Sequence, residues 1–208
     1  MTVIDHTPRM SKPIELPVLD QAPAERADAT RNRQRILEAA DRLFAEHGVE
    51  NVSMDAIAAE ACVGKGTLFR RFGDRPGLAR GLLERREAYF QESFIRGGPP
   101  LGPGAQPRDR LLAFADARMD LLEIHGDLIL AAETGRMGIR FEGPYGAHRI
   151  HVVQLLREAA PGLDAEYAAE ALLGCLSAEY HLFMRRARGR SLDQVRAGFR
   201  SLVDQLLG

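Results

Sequence analysis

The chain is poor in the features that would assign it to several large classes of protein. Two cysteines, Cys62 and Cys175, stand far apart among 208 residues and match no metal-ligand spacing. That excludes a disulfide-stapled secreted scaffold and a cysteine-based zinc site, and fits a reducing compartment. No apolar run approaches the roughly 18 residues of a membrane span, and no signal-peptide core opens the chain. Neither sign of charge dominates: the formal net charge is −1. Strand-like alternation and internal repeats are missing too. A hydrophobic fraction of 45% excludes disorder throughout. What remains is a helical protein with no membrane segment, expected in the cytoplasm.

Charge is unevenly spread. From Arg26 to Arg86 there are 12 Arg or Lys against 9 Asp or Glu, an excess of +3, which leaves −4 for the remainder. A modestly cationic first third suits contact with nucleic acid phosphates. Four prolines (Pro8, Pro13, Pro17 and Pro23) and a lack of helical periodicity predict a flexible tail over residues 1–28.

Helical patterning is expected from Thr30, an N-cap. Ile36, Leu37, Ala40, Leu43 and Phe44 form one amphipathic stripe, which Gly48 ends. Ser53 caps a second short helix with Ile57, Ala58 and Ala61 inward. Val63-Gly64 turns the chain into a third, from about Lys65 to Arg71, whose Leu68 and Phe72 face back. The alanines permit close crossings, so this is a helix-turn-helix by packing as well as by pattern. Such a second helix, with small, hydroxyl and cationic residues at its start, suits a DNA groove.

Asp74 and Pro76 open a fourth helix running to about Phe94. The Gly/Pro-rich stretch 97–107 reads as a linker or a long loop that would let the helices on either side reorient. Further helices are expected over 108–124, 127–139, from 145 to before Pro161, 164–186 and 191–207. The fold class is therefore all-α: a three-helix head over residues 29–75, then a helical ligand-binding and dimerisation domain over 76–208.

The run RILEAADRLFAEHGVENVSMDAIAAEACVGKGTLFRRFGDRPGL resembles the TetR (tetracycline-repressor) family of bacterial transcriptional regulators, over about residues 31–78. The rest resembles that family only in helix number and length. Three positions depart from its usual pattern: Cys62 replaces Gly, Phe69 replaces Tyr and Arg75 replaces Lys. Phe69 lacks the hydroxyl that would bond a phosphate, whereas Arg75 keeps the charge.

The resemblance and the residue chemistry together imply a DNA-binding set. Lys65, Gly66 and Thr67 would open the recognition helix at bases or phosphates, with Phe69 and Arg70 beside them. Arg71, Arg33 and Arg75 are further phosphate candidates, and Ser53 would offer a helix N-terminus to an anion. A phosphate-loop reading of GKGT fails, because Ala59 stands where the first glycine is required and Gly66 follows the lysine.

Candidate ligand-binding residues are Met119, Leu122, Glu133, Met137, Phe141, Tyr145 and His148, mixing apolar lining with isolated polar groups. Arg136, Arg140 and His151 add polarity to the same helices. His148 and His151 have metal-ligand spacing but no third ligand nearby, so neither metal nor cofactor is expected. Leu172, Leu173, Leu176 and Phe183, with Gly174 and Ala178, make one stripe; Val195, Phe199, Leu202, Val203 and Leu206 make another. Both suit a homodimer through the last two helices, as in that family.

The expected function is a regulator, most readily a repressor, that binds a pseudo-palindromic double-stranded DNA operator and is released by a small-molecule effector. A helical small-molecule-binding or enzymatic protein with a vestigial helix-turn-helix is the alternative, though no nucleophile motif or paired-carboxylate arrangement is present. Activation instead of repression would depend on operator position.

Overall fold

The structure, a computed structural model, describes residues 23–134, 138 and 141–208. Nine helices and no strands are present among them: α1 Pro23–His47, α2 Met54–Glu60, α3 Lys65–Phe72, α4 Arg75–Arg96, α5 Pro107–Glu133, α6 Pro144–Ala159, α7 Ala165–Cys175, α8 Ala178–Leu182 and α9 Leu192–Leu207. None is long and apolar enough to cross a membrane. The all-α expectation holds.

Helix α1 starts at Pro23 instead of Thr30. A proline in the first helical turn sacrifices no hydrogen bond, and the AERADA segment behind it is built of helix formers. Residues 23–28 therefore belong to the helix, not to a tail; residues 1–22 lie outside the described part.

The buried side of α1 is the expected stripe. Ile36, Ala39, Ala40 and Phe44 pack with Ile57 and Ala58 of α2 and Leu68 of α3. Val49 and Val52, from the connection between α1 and α2, close the same core. Leu78, Ala79 and Leu82 of α4 join it, as do Leu128, Ala131 and Ala132 from the far end of α5. The farther half of α4 serves a second core, where Phe90 and Phe94 meet Phe114 of α5, Leu155 and Leu156 of α6, Leu172 of α7 and Phe199 of α9. Both α4 and α5 are thus anchored in both cores. Each large apolar side chain so buried contributes about 1.5–3 kcal/mol, so α4 cannot shift without disturbing head and body together.

Three expectations about the body need correction. The patterns over 108–124 and 127–139 are one helix, α5, ending at Glu133. Gly126 in its middle costs only about 1 kcal/mol relative to alanine, and a Cβ there would lie 3.0 Å from Leu182 Cδ2, so the glycine admits α8. Conversely, the expected helix over 164–186 is broken. Ser177 adopts an extended backbone and its Oγ accepts from the Tyr180 N–H, restarting the chain as α8 before a π-turn at Phe183–Ala187.

The third correction concerns the stretch 97–107, which is an ordered loop and no loose linker. The Gly102 N–H donates to Gly98 O at 2.9 Å. Arg110 Nη2 donates to Phe94 O at 3.2 Å, and Leu101 packs on the body core. Helices α4 and α5 lie along one another as the most extensive helix pair.

Candidate functional site

The head builds its outer surface from local rules. Ser53 Oγ accepts from the Ala56 N–H at 3.1 Å, starting α2. The turn after α2 closes through the Val63 N–H, which donates to Ala58 O at 3.0 Å. That closure holds Cys62 at φ +51°, a left-handed conformation costing an L-residue about 1 kcal/mol. A glycine at this position would carry no such cost. Gly64 then caps α3, its carbonyl accepting from the Thr67 and Leu68 amides.

Leu68 is fully buried beneath α3, and this fixes which residues face outward. Lys65, Gly66, Phe69, Arg70 and Arg71 are exposed, with Thr67 half-buried at their margin. A Cβ on Gly66 would meet nothing within 4 Å, so the helix is open there to a close approach. Phe69 is 45% exposed, an apolar ring held on a polar face. Lys65 Nζ pairs with Asp55 Oδ2 of α2. Neither Arg70 nor Arg71 makes an ion pair or a side-chain hydrogen bond among the described residues. Six of the nine DNA-contact candidates thus lie together on α3, with Ser53 capping the adjoining helix.

Arg33 and Arg75 are placed otherwise. Arg75 Nη2 donates to Val52 O at 2.6 Å, and Nη1 reaches Glu50 O at 3.4 Å. The guanidinium ties the start of α4 to the connection between α1 and α2, which is a positioning role. Arg33 pairs with Glu84 of α4, and its guanidinium carbon stands 6.0 Å from the Phe72 ring centroid. Both were expected at phosphates; within the chain both hold the head against α4.

The joint between α3 and α4 is close. Asp74 Oδ1 accepts from the Gly77 N–H at 2.7 Å, capping α4. A Cβ on Gly77 would fall 1.9 Å from Phe72 O, so any larger residue would force the recognition helix away from α4. Arg80 Nη1 donates to Ala132 O at 3.1 Å and joins α4 to the end of α5.

Between head and body lies a cleft of about 680 Å³, lined from α1, α3, α4, α5 and α6. Glu133, Tyr145 and His148, three of the ligand candidates, line it. Met119 and Leu122 do not: they are 1% and 0% exposed, closed within the cores. A leucine-rich stripe reads the same whether it faces a cavity or a core, so periodicity could not separate the two. Phe141 lies on the surface, its ring edge-on to Tyr145 at 5.1 Å. Met137, Arg136 and Arg140 fall outside the described residues.

Two groups in the cleft wall went unrecognised, Glu87 and Arg118. His148 Nε2 donates to Glu87 Oε1 at 2.6 Å, and Gln91 Nε2 donates to the same oxygen at 3.1 Å. Arg118 lies 4.0 Å from Glu87 and 3.6 Å from Glu133. Arg118 could have been found: it falls on the buried stripe of α5, between Phe114 and Leu122, where no solvated arginine belongs. Glu87 occupies the corresponding inward stripe of α4, between Leu82 and Phe90.

Burial pushes the Glu87 carboxyl upward, but the hydrogen bond and charge of His148, with the charge of Arg118, outweigh it and hold the group below the usual carboxylate range. Burial lowers Arg118, opposed by the two glutamates. His151 sits against Phe94 and Phe114 with ring centroids at 4.5 and 5.4 Å. Its Nε2 is buried without a hydrogen-bond partner. Burial first, then the charges of Arg110 and His148, depress it to about 4. No three metal-ligating side chains gather among the described residues.

Comparison with known proteins bears on this arrangement. Residues 36–82 match the family described as bacterial regulatory proteins, tetR family. An HTH-type transcriptional regulator of Staphylococcus aureus (strain USA300) is 52% identical over 60 residues. The chain matches about a third of the length of such curated relatives, 32% of this one, and the match takes in 29% of the chain. Among solved structures, a TetR-like transcriptional regulator from Rhodococcus sp. RHA1 superimposes with a TM-score of 0.56 at 25% identity, covering 84% of this chain and 94% of that one. The transcriptional regulator FadR from Bacillus subtilis, solved with stearoyl-CoA, shares the fold alone: TM-score 0.60, 16% identity, 84% and 97% covered. Over residues 36–82 the chain carries the head of the bacterial regulatory proteins of the tetR family, and its helical architecture is that of the TetR-like regulator from Rhodococcus.

Proposed function

We propose that this protein is a homodimeric transcriptional repressor that binds a pseudo-palindromic operator through α3 and is released by a small-molecule effector. The observation that carries the reading is the outer face of α3. Gly66 opens it to close approach, while Arg70 and Arg71 carry charge with no partner among the described residues. Phosphate contacts from these guanidiniums would supply most of the affinity, and contacts to base edges from the start of α3 the selectivity. Two such helices about 34 Å apart would read successive major grooves.

Release follows from the shared helix. An effector that favours the DNA-incompetent arrangement by about 1.4 kcal/mol weakens DNA binding tenfold. Because α4 is packed into both cores and lines the cleft, a ligand there acts on the element that carries the head.

Footprinting over the protein's own promoter region tests the reading. The expected result is a protected pseudo-palindrome whose occupancy falls with salt and is lost in the double variant Lys65→Ala, Arg70→Ala with the fold retained. Binding that persists in that variant overturns the assignment of α3.

A further inference from the structure

The charged groups lining the cleft are unequally satisfied, and the imbalance has a direction. Five arginines and four glutamates line it. Every carboxylate is engaged. Glu84 accepts from Arg33, Glu87 from His148 and Gln91, and Glu133 and Glu142 have partners of their own. Three of the arginines are also spent: Arg33 on Glu84, Arg80 on Ala132 O and Arg86 on Leu82 O.

Arg118 and Arg71 are different. Arg118 is 8% exposed, yet its contacts to Glu87 and Glu133, at 4.0 and 3.6 Å, lie beyond hydrogen-bond range. Arg71 has no partner among the described residues. The unspent capacity of the cleft is therefore donor capacity, carried by guanidinium, and a ligand that satisfies it must bring acceptors. The same wall holds the apolar side chains of Leu83, Leu121, Ile129 and Phe72.

We infer that the cleft is a binding site for a small organic carboxylate with an apolar skeleton, its acid held by Arg118 and its far end directed to Phe72 and Arg71 of the recognition helix. A planar guanidinium matches a carboxylate two bonds at a time. A single negative charge suits a lining with one arginine in excess, whereas a phosphate dianion would face Glu87 and Glu133 on either side of Arg118. Because α3 itself forms part of the wall, such a ligand touches the DNA-reading helix directly and needs no relay through the body core.

This deepens the proposed release by an effector and rests on that reading for its consequence at DNA, though not for the binding itself. The test uses the full chain and matched probes: phenylbutyrate and decanoate, with the amide and the amine of each skeleton, and decyl phosphate. Binding is read by calorimetry and thermal shift, and operator retention by anisotropy. Both acids are expected to bind, with the amides and amines weaker by about tenfold or more, as loss of a charge-assisted pair implies.

Arg118→Gln should abolish the preference for the acid. Should that variant unfold, Ala88→Trp supplies the second test, since Ala88 is exposed at the cleft wall and a larger side chain there fills the site without entering a core. Failure of both acids to bind overturns the inference. So does equal binding of an amine or amide, tighter binding of decyl phosphate than of decanoate, or acid binding indifferent to both variants. Acid binding that follows Arg118 but leaves operator retention unchanged supports the cleft assignment and defeats the release reading alone.

Discussion

Lys65 Nζ lies 2.5 Å from Asp55 Oδ2, so the cation that opens the recognition helix is already paired with a carboxylate of the preceding helix. The pair spans the turn and both partners are exposed, which makes it weak, about 0.2–1 kcal/mol. Its consequence falls on DNA. Lys65 must leave Asp55 to reach a phosphate, and Asp55 itself repels the backbone. Asp55→Asn is expected to tighten DNA binding by about two- to fivefold at low salt, within that same energy range, with little change in melting temperature. Anisotropy titrations across a salt series check this; unchanged or weakened affinity would mean that Lys65 does not face phosphate.

Cys62 offers a stability test of the turn. Its φ of +51° places a side chain in the left-handed region, and the residue is exposed, so nothing is lost from a core by removing it. Cys62→Gly is expected to raise stability by about 1 kcal/mol, and Cys62→Val to lower it by as much or more. Urea denaturation of the three proteins reads the order directly. A stabilised valine variant would show that the turn is not left-handed at this position.

Legibility in the sequence followed the range of the interactions involved. The head was readable because its determinants are local: the stripe from Ile36 to Phe44, the Ser53 cap, the glycine turn and the inward Leu68 are all spaced by one or two helical turns. Placing Arg33 and Arg75 required tertiary information. Whether a surface-spaced arginine meets DNA, Glu84 or a backbone carbonyl depends on how α4 lies, and a single sequence does not encode that visibly. The same holds for the cleft. Glu133, Tyr145 and His148 were legible as polar breaks in apolar helices, and the inward spacing of Glu87 and Arg118 was legible too, but their partnership required two elements distant in sequence to come together.

Acid sensitivity should originate in the body. His151 is held at about 4, against an ordinary value near 6.5. Its folded form therefore resists protonation that the unfolded chain accepts. The unfolded state binds more protons between about pH 6.5 and 4, so stability falls as pH drops through that window. Glu87, lowered in the fold, adds a loss that begins only below the usual carboxylate range. After allowance for screening, the His151 contribution is about 1–2 kcal/mol. His151→Phe keeps a ring between Phe94 and Phe114 and is expected to reduce the decline above pH 5, leaving the part that His125, also lowered by burial, contributes. A decline between pH 6.5 and 5 as large in that variant as in the parent would place the sensitive group elsewhere.

The stripes expected to join two copies are mostly turned inward, with Leu202 and Phe183 exposed. Leu172, Leu173, Leu176, Val195, Phe199 and Val203 are buried within one protomer and cannot meet a second. Among the residues that α9 turns outward, Ala197, Gly198, Ser201 and Leu202 form a patch of small side chains around one leucine. Leu202 is 44% exposed, and a Cβ at Gly198 would meet nothing within 4 Å. Small residues around one leucine let two helices approach closely. The arginines beside them are not free to serve a partner: Arg196 pairs with Asp116 and Asp120, and Arg200 with Asp116, all on α5. If this face joins two copies, Gly198→Glu and Leu202→Glu each bring a carboxylate into the helix contact without touching the protomer core. Light scattering is expected to show a shift from dimer to monomer, with the melting temperature of the protomer little changed. Operator binding should weaken in parallel, because a lone head retains only its own phosphate contacts. A dimer that survives both substitutions would move the interface to the exposed aromatics Tyr180 and Phe183, at α8 and the π-turn.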